Sequence, residues 1–399
     1  MMGARVLVRA LRNAMRFMAL GNAWMLATFA AKIGRMKERS WSAFDRQCMA
    51  RALEISARGL GHTSPNPMVG AVIARDGVIL SEGYHARCGE AHAEVMALRL
   101  ARQRGIDLAG ATMYVTLEPC THTGKTPPCC TAIMGTAISR VVIATLDPNP
   151  KVNGGSVSRL EGAGKTVDVG LFEREAQELN RRFFTFQKRR RPYIILKWAE
   201  SADGFIDSRR SATEPAPWLS NNRCRLLVHK WRAEEGAILV GTNTLLRDNP
   251  SLTTRHWHGA NPLRIAIDQE LSIPEGAQLL DGQAPTLLVY EESEERRARS
   301  LELVGKVEGL ELVGMDFTGD VATAIVEEVY RRGIDSLIVE GGAQLLQSFM
   351  EVGLWDEARV FIGPRELGDG TPGPGLPDGL IGGWEVGDTL LYYFRNSSL

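Results

Sequence analysis

His92-Ala93-Glu94, then Glu118-Pro119-Cys120, then Cys129, are residue types that can hold a metal ion and move a proton. One imidazole and two thiolates suit zinc, and three protein ligands leave a fourth position for water, as catalytic rather than structural centres do. Zinc brings the pKa of such a water towards neutrality and so supplies a hydroxide nucleophile near pH 7. Glu94, two residues past the imidazole, is placed to take the water's proton and pass it to a leaving amine. The blander readings are weaker. A free cysteine is ordinarily a small buried hydrophobe, and that is the reading for Cys48, Cys88 and Cys224, which sit in no motif. A structural zinc would want a fourth protein ligand from His122 or Cys130. Cys130 directly follows Cys129, so the two cannot easily reach one ion, and Cys130 reads as packing. Six cysteines in 399 residues, two of them in a metal motif, argue for a reducing compartment rather than a disulfide framework.

The elements that must position these residues can be read from periodicity. Residues 45–59 carry a helical stripe (Met49, Ala52, Leu53, Ile55) stopped by Gly59 and Gly61. Residues 68–74 and 78–82 read as strands joined by an Asp76-Gly77 hairpin turn. A helix over 91–102 carries His92 and Glu94 in its first turn, and a strand over 111–117 runs into Glu118-Pro119-Cys120. Pro127-Pro128 opens the helix that carries Cys129, and 140–145 is a further strand. Both halves of the metal site therefore come from helix starts beside strand ends, which suits an α/β layer fold.

Residues 179–191 are basic and aromatic and end at Pro192. A nucleic-acid patch is one reading; a solvated linker is the preferred one, with a domain boundary here. Strand–helix alternation resumes: strands at 193–199, 237–240, 263–268, 286–290 and 336–339, helices at 220–234, 321–333 and 343–350. The last strand enters Glu340-Gly341-Gly342 at a helix start, a device that can bind phosphate, although a full Gly-x-Gly-x-x-Gly is lacking.

Length predicts more than one domain. A charged fraction of 24% with zero formal net charge leaves no basic surplus for a phosphate backbone, so nucleic acid is disfavoured as the main partner. Met1 to Lys37 holds seven Lys/Arg and no acid, with Arg5, Arg9, Arg12 and Arg16 on one helical face. It is read as an over-called or disordered extension over 1–40, with translation from Met36. A targeting presequence is the alternative. A membrane anchor is disfavoured, because the apolar run falls short of the ~20 residues that span a bilayer. A cytoplasmic location is expected.

The motifs also carry a resemblance. Nucleic-acid and nucleoside deaminases usually show Pro-Cys-x-x-Cys, whereas here eight residues separate Cys120 from Cys129. That expanded loop, with Ser64-Pro65-Asn66-Pro67-Met68-Val69-Gly70, Gly83-Tyr84-His85 and Asp147-Pro148-Asn149-Pro150, closely resembles the bifunctional riboflavin-biosynthesis deaminase–reductases. Lys197-Trp198-Ala199, Gly241-Thr242-Asn243-Thr244, Asp248-Asn249-Pro250-Ser251-Leu252 and Glu340-Gly341-Gly342 resemble their reductase half. The resemblance implies a cytidine-deaminase-like three-layer domain over 41–185 and a dihydrofolate-reductase-like domain over 192–399. It implies Zn2+ and NADPH as cofactors and small pyrimidine ribosyl phosphates as substrates, with no membrane partner; a homo-oligomer is compatible with it. Carried over by position, Ala199, Thr244, Asp248, Gly342, Ala343, Gln344, Leu345, Leu346, Gln347 and Ser348 would touch NADPH. Asn66, His122, Lys197, Trp218, Arg232, Leu252, Arg255 and Glu340 would hold substrate. One departure is that Ala216 stands where the family places a substrate-contacting Ser. A nucleic-acid-editing deaminase is disfavoured by the neutral charge and the long Cys-to-Cys loop. A non-catalytic scaffold is disfavoured by retention of Glu94, which no structural role requires.

Overall fold

The computed structural model describes residues 41–121, 128–149, 152–211 and 214–398. The predicted N-terminal extension and His122 lie outside them. α1 (Ala43–Ser56) forms on the predicted stripe, burying Met49, Ala52, Leu53 and Ile55. β1 (Gly70–Arg75) and β2 (Val78–Tyr84) make the predicted hairpin. Asp76 and Gly77 take φ of 51° and 79°, the left-handed pair that a two-residue type I′ turn demands. α2 (Ala93–Gln103) begins just after its N-cap, His92. Ala93, Ala97 and Ala101, four residues apart, are fully buried. That stripe of small side chains lets α2 lie close on the β1–β2 hairpin and carries His92 and Glu94 with it.

β3 (Thr112–Val115), α3 (Cys129–Met134), β4 (Arg140–Ile143), α4 (Gly155–Gly162) and β5 (Thr166–Val169) complete the first layer. The sheet runs β2-β1-β3-β4-β5, with β1 antiparallel to both neighbours and β3, β4 and β5 parallel. Parallel neighbours need crossovers, and α3 and α4 are those crossovers. Cys120 and Cys129 therefore sit at the exit of β3, on the way into α3.

α5 (Glu173–Leu179) and α6 (Arg181–Arg189) follow. α6 corrects the reading of 179–191 as a solvated linker. Phe183 and Phe184 are buried in the first core, and Arg182 is buried against Glu235. The arginines dominated the composition, but the phenylalanines fall on one face of a helix, and a helix with an apolar face docks.

The second layer is a nine-stranded sheet. Its elements are β6 (Tyr193–Glu200), α7 (Asn222–Glu234), β8 (Ala237–Val240), α8 (Thr242–Asp248), β9 (Leu263–Ile267), β10 (Thr286–Glu291), α9 (Glu294–Lys306) and β11 (Leu310–Met315). α10 (Val321–Arg331), β12 (Ser336–Glu340), α11 (Ala343–Glu351), β13 (Glu357–Ile362), β15 (Leu380–Val386) and β16 (Thr389–Arg395) follow. β7 (Phe205–Ser208) pairs separately with β14 (Gly370–Pro372). The order is β11-β10-β9-β8-β12-β6-β13-β16-β15, parallel from β11 to β13 and antiparallel at the last two strands. The near-continuous apolar runs of β8 and β12 are fully buried, as strands covered on both faces must be. α7 is capped by Asn221, whose side chain accepts the Arg223 and Cys224 N–H groups. No described helix is long and apolar enough to cross a membrane.

Candidate functional site

His92 Nδ1 lies 3.6 Å from Cys120 Sγ and 3.3 Å from Cys129 Sγ. All three ligand atoms fall within 4.8 Å of one another. Tetrahedral zinc with Zn–S of about 2.3 Å and Zn–N of about 2.0–2.1 Å sets a nitrogen–sulfur edge of roughly 3.6 Å, so the donor set fits the ion. Cys120 is drawn down to about 4, first by the hydrogen bond from Cys129 and then, against its burial, by His92. Cys129 is pushed up by the same contact and by burial. A divalent cation would displace the thiol protons. The Cys129 backbone N–H also donates to Cys120 Sγ at 3.3 Å, tying the start of α3 to the exit of β3. Cys130 is fully buried and packs in the core, as read.

Glu94 is almost fully buried, and its Oε2 has no hydrogen-bond partner. Burial pushes its carboxyl up to about 7. A buried, unpartnered carboxylate oxygen beside three metal ligands is an acceptor waiting for a small donor such as water. Asn66 reaches the same place indirectly: its Nδ2 lies 3.2 Å from His85 Nε2, and the His85 ring meets the His92 ring edge-on at 5.1 Å. His85 Nδ1 lies 3.2 Å from the Ala91 carbonyl. Sequence reasoning gave His85 no role, although it stood in a quoted motif. Glu118 was also passed over. Its carboxylate accepts the backbone N–H groups of Asp147, Gly154 and Ser156 and the Ser156 hydroxyl at 2.9–3.2 Å. It thereby fixes Asp147, Gly154 and Ser156 against the strand end that carries Cys120. The signal was an acid directly before a Pro-Cys ligand, at a strand terminus where backbone donors converge.

In the second sheet, Glu340 at the end of β12 accepts from Arg232 Nη2 at 2.9 Å and lies 3.7 Å from Lys197 Nζ. Burial alone would raise its carboxyl; Arg232 and Lys197 bring it to about 2. Glu340 Oε1 and Arg232 Nε are buried without hydrogen-bond partners, so the cluster has polar capacity left for a ligand. The Arg255 backbone N–H donates to His229 Nδ1 at 3.0 Å and its Nη1 to Thr253 Oγ1 at 3.3 Å. Burial, then nearby Arg232 and Arg225, hold its guanidinium below the ordinary value, a crowding that an anion would relieve. Leu252, at φ 51° and buried, holds this loop.

A second group lines a cleft of about 250 Å³: Thr244, Gly342, Gln344 and Leu345, with Gly241 and Thr242. Thr244 Oγ1 accepts the Gly342 N–H at 3.1 Å. The rest of the 342–348 run lies differently. Leu346 is fully buried, Gln347 bonds to Glu351, and the Ser348 hydroxyl bonds back to the Leu345 carbonyl. Asp248 is ion-paired with Arg210. Ala199 sits on β6 in register with Phe361, and Trp218 is exposed under the Arg225 guanidinium at 5.4 Å.

Together the two layers define a bifunctional enzyme, a zinc-type hydrolytic deaminase joined to an α/β reductase. The cytidine and deoxycytidylate deaminase zinc-binding region matches residues 42–145, and the RibD C-terminal domain matches 192–380. The riboflavin biosynthesis protein RibD of Aquifex aeolicus is 42% identical over 327 residues, covering 82% of this chain and 88% of its own. That of Escherichia coli K12 is 36% identical over 354 residues, covering 83% and 92%. The chain belongs to the RibD family of bifunctional deaminase–reductases of riboflavin biosynthesis. The crystal structure of the Thermotoga maritima diaminohydroxyphosphoribosylaminopyrimidine deaminase/5-amino-6-(5-phosphoribosylamino)uracil reductase superposes with a TM-score of 0.78 at 34% identity, over 88% of this chain and 99% of that one. Acinetobacter baumannii RibD gives 0.79 at 30% identity, over 89% and 99%.

Proposed function

We propose that the first domain hydrolyses the exocyclic 2-amino group of 2,5-diamino-6-(5-phosphoribosylamino)pyrimidin-4-one. The second domain then reduces the ribosyl group of the resulting 5-amino-6-(5-phosphoribosylamino)uracil to ribityl. The observation that carries the reading is the His92–Cys120–Cys129 triad with the unpartnered Glu94 Oε2 buried beside it. Zinc, which those three residues would hold, would supply an acidified water when bound. Glu94 takes the water proton and delivers it to the departing nitrogen; a C–O bond forms, the C–N bond breaks, and ammonia leaves. Asn66, braced by His85, faces the pyrimidine.

In the second domain Arg232 and Arg255 hold the ribosyl phosphate, for which a planar guanidinium fork is suited. Glu340, Lys197, Leu252 and Trp218 complete that side. Ala199, Thr244, Asp248 and the start of α11 would hold NADPH, which would supply the hydride for C1 of the opened sugar imine, a solvent proton completing the amine. Asp248 must leave Arg210 or bind with it. The test is a coupled assay on zinc-loaded protein given the diaminopyrimidine ribosyl phosphate, with ammonia release and NADPH oxidation followed separately. Ammonia should precede NADPH loss, and Glu94→Gln should lower the ammonia rate by about 10²–10⁴. Ammonia without NADPH loss would mean a silent reductase, with Ala216 the first suspect. No ammonia would sink the substrate assignment.

A further inference from the structure

We infer that Asp335, a residue of the reductase half, is a positioning residue for the deamination step; this rests on the function proposed above. Asp335 lies just ahead of β12 and is buried. Its Oδ1 accepts the Ser64 hydroxyl at 2.8 Å. Ser64 is two residues before Asn66, whose own N–H closes a turn onto the Thr63 carbonyl at 2.8 Å. From Asn66 the chain of contacts runs to His85 at 3.2 Å and on to the ring of His92. The loop that presents Asn66 to the pyrimidine is thus fastened at one end by the first domain's histidines and at the other by a carboxylate of the second.

A cavity of about 30 Å³ lies against this loop, lined among others by Thr63, Ser64, Asn66, Arg182 and Asp335. The other fixed point is Gly61, at φ +78°, where a Cβ would come within 2.6 Å of the Ala233 carbonyl. Ala233 follows Arg232 in α7, and β12 carries Glu340 at its far end. The two reductase elements that hold the Arg232–Glu340 pair are therefore the same two that hold the deaminase loop. An isolated deaminase domain would keep its metal ligands, Glu94 and the Asn66–His85 contact but lose the bond that fastens the Ser64 end of the loop.

The experiment uses the full, zinc-loaded chain with the diaminopyrimidine ribosyl phosphate. Ser64→Ala and Asp335→Ala should each raise the deaminase KM about tenfold, roughly 1.4 kcal/mol, with kcat within about twofold, as loss of one hydrogen bond to a carboxylate predicts. Zinc content and the reductase's kinetics on the deaminated substrate should not move. Asp335→Asn keeps an Oδ1 acceptor and should stay near wild type, and the two alanine changes combined should cost no more than one. Unchanged KM in both alanine variants would overturn the inference. So would a joint fall of kcat, zinc content and reductase activity, which would mark a merely structural bond. Absence of ammonia from the wild-type chain would instead overturn the parent reading, and is seen before any variant is compared.

Discussion

Replacing Arg182 by Met should destabilise the protein by about 3–5 kcal/mol, the range for breaking a buried ion pair from one side. Arg182 lies on α6 of the first domain, and Glu235 directly follows α7 of the second. Arg182 Nε donates to Glu235 Oε2 at 2.6 Å, and Nη2 closes the second arm of a fork. The Glu235 side chain is fully shielded from solvent. Burial alone would raise its carboxyl, and Arg182 keeps it below the usual carboxylate range. Each charge-assisted hydrogen bond contributes about 1.5–3 kcal/mol, so two give roughly 3–6. Arg359 Nη2, 3.6 Å from Glu235 Oε1, retains part of that, which brings the loss into the stated range. The assay is urea unfolding by circular dichroism on Arg182→Met, Glu235→Leu and the double variant. The double variant should recover at least half of the Arg182→Met loss, since an apolar pair of similar volume replaces a buried ion pair at little cost. A single variant within about 1 kcal/mol of wild type would refute the argument, because a charge left buried and unpaired cannot be that cheap. A double variant as damaged as Arg182→Met would show that volume, not charge, holds this interface.

Three further outcomes follow from the two sites. Stripping metal with a chelator should abolish ammonia release while NADPH oxidation on the deaminated substrate persists, and added zinc should restore the first; equal loss of both activities would contradict two independent centres. Gly341→Ala should raise the KM for NADPH at least tenfold, on the order of 1.4 kcal/mol, because Gly341 sits at φ +110° and a Cβ there would lie 2.7 Å from Thr244 Oγ1; an unchanged KM would move the cofactor elsewhere. Burial would raise the Glu357 carboxyl, but Arg359 and Arg181 take it from 4.5 down to about 2. The folded chain then binds fewer protons than the unfolded chain between those values, so Glu357 contributes full stability above about pH 4.5 and loses it as pH falls towards 2. Urea midpoints from pH 5 to pH 3 should fall more steeply for wild type than for Glu357→Gln, and parallel slopes would contradict the assignment.

Local chemistry was legible where one short stretch carries its own reason. The 45–56 helix, the Asp76-Gly77 hairpin and the strands 237–240 and 336–340 follow from periodicity and turn chemistry within a dozen residues. The polar helix Glu294–Lys306 and the strands Gly370–Pro372 and Leu380–Val386 were not read. One has too few apolar residues to show a stripe, and the others are short, broken by Gly, or edge-like. α6 was misread because a count of arginines cannot tell a solvated guanidinium from one buried against a carboxylate 53 residues away.

By itself the sequence determined the chemistry: a His, two Cys and a Glu in an order that suits zinc hydrolysis, and a Glu-Gly-Gly turn at a strand end. Ligand type and short-range backbone geometry decide both, and neither needs distant partners. Only the tertiary structure decided the spacings of 3.3 and 3.6 Å that fit an ion, the burial that leaves Glu94 Oε2 unpartnered, and Glu118 bracing Asp147, Gly154 and Ser156. It also decided the bond from Ser64 to Asp335, 271 residues along the chain. Such contacts exist only after the chain has folded, because burial and long-range hydrogen bonding belong to the folded chain and leave no periodic trace in the order of residues.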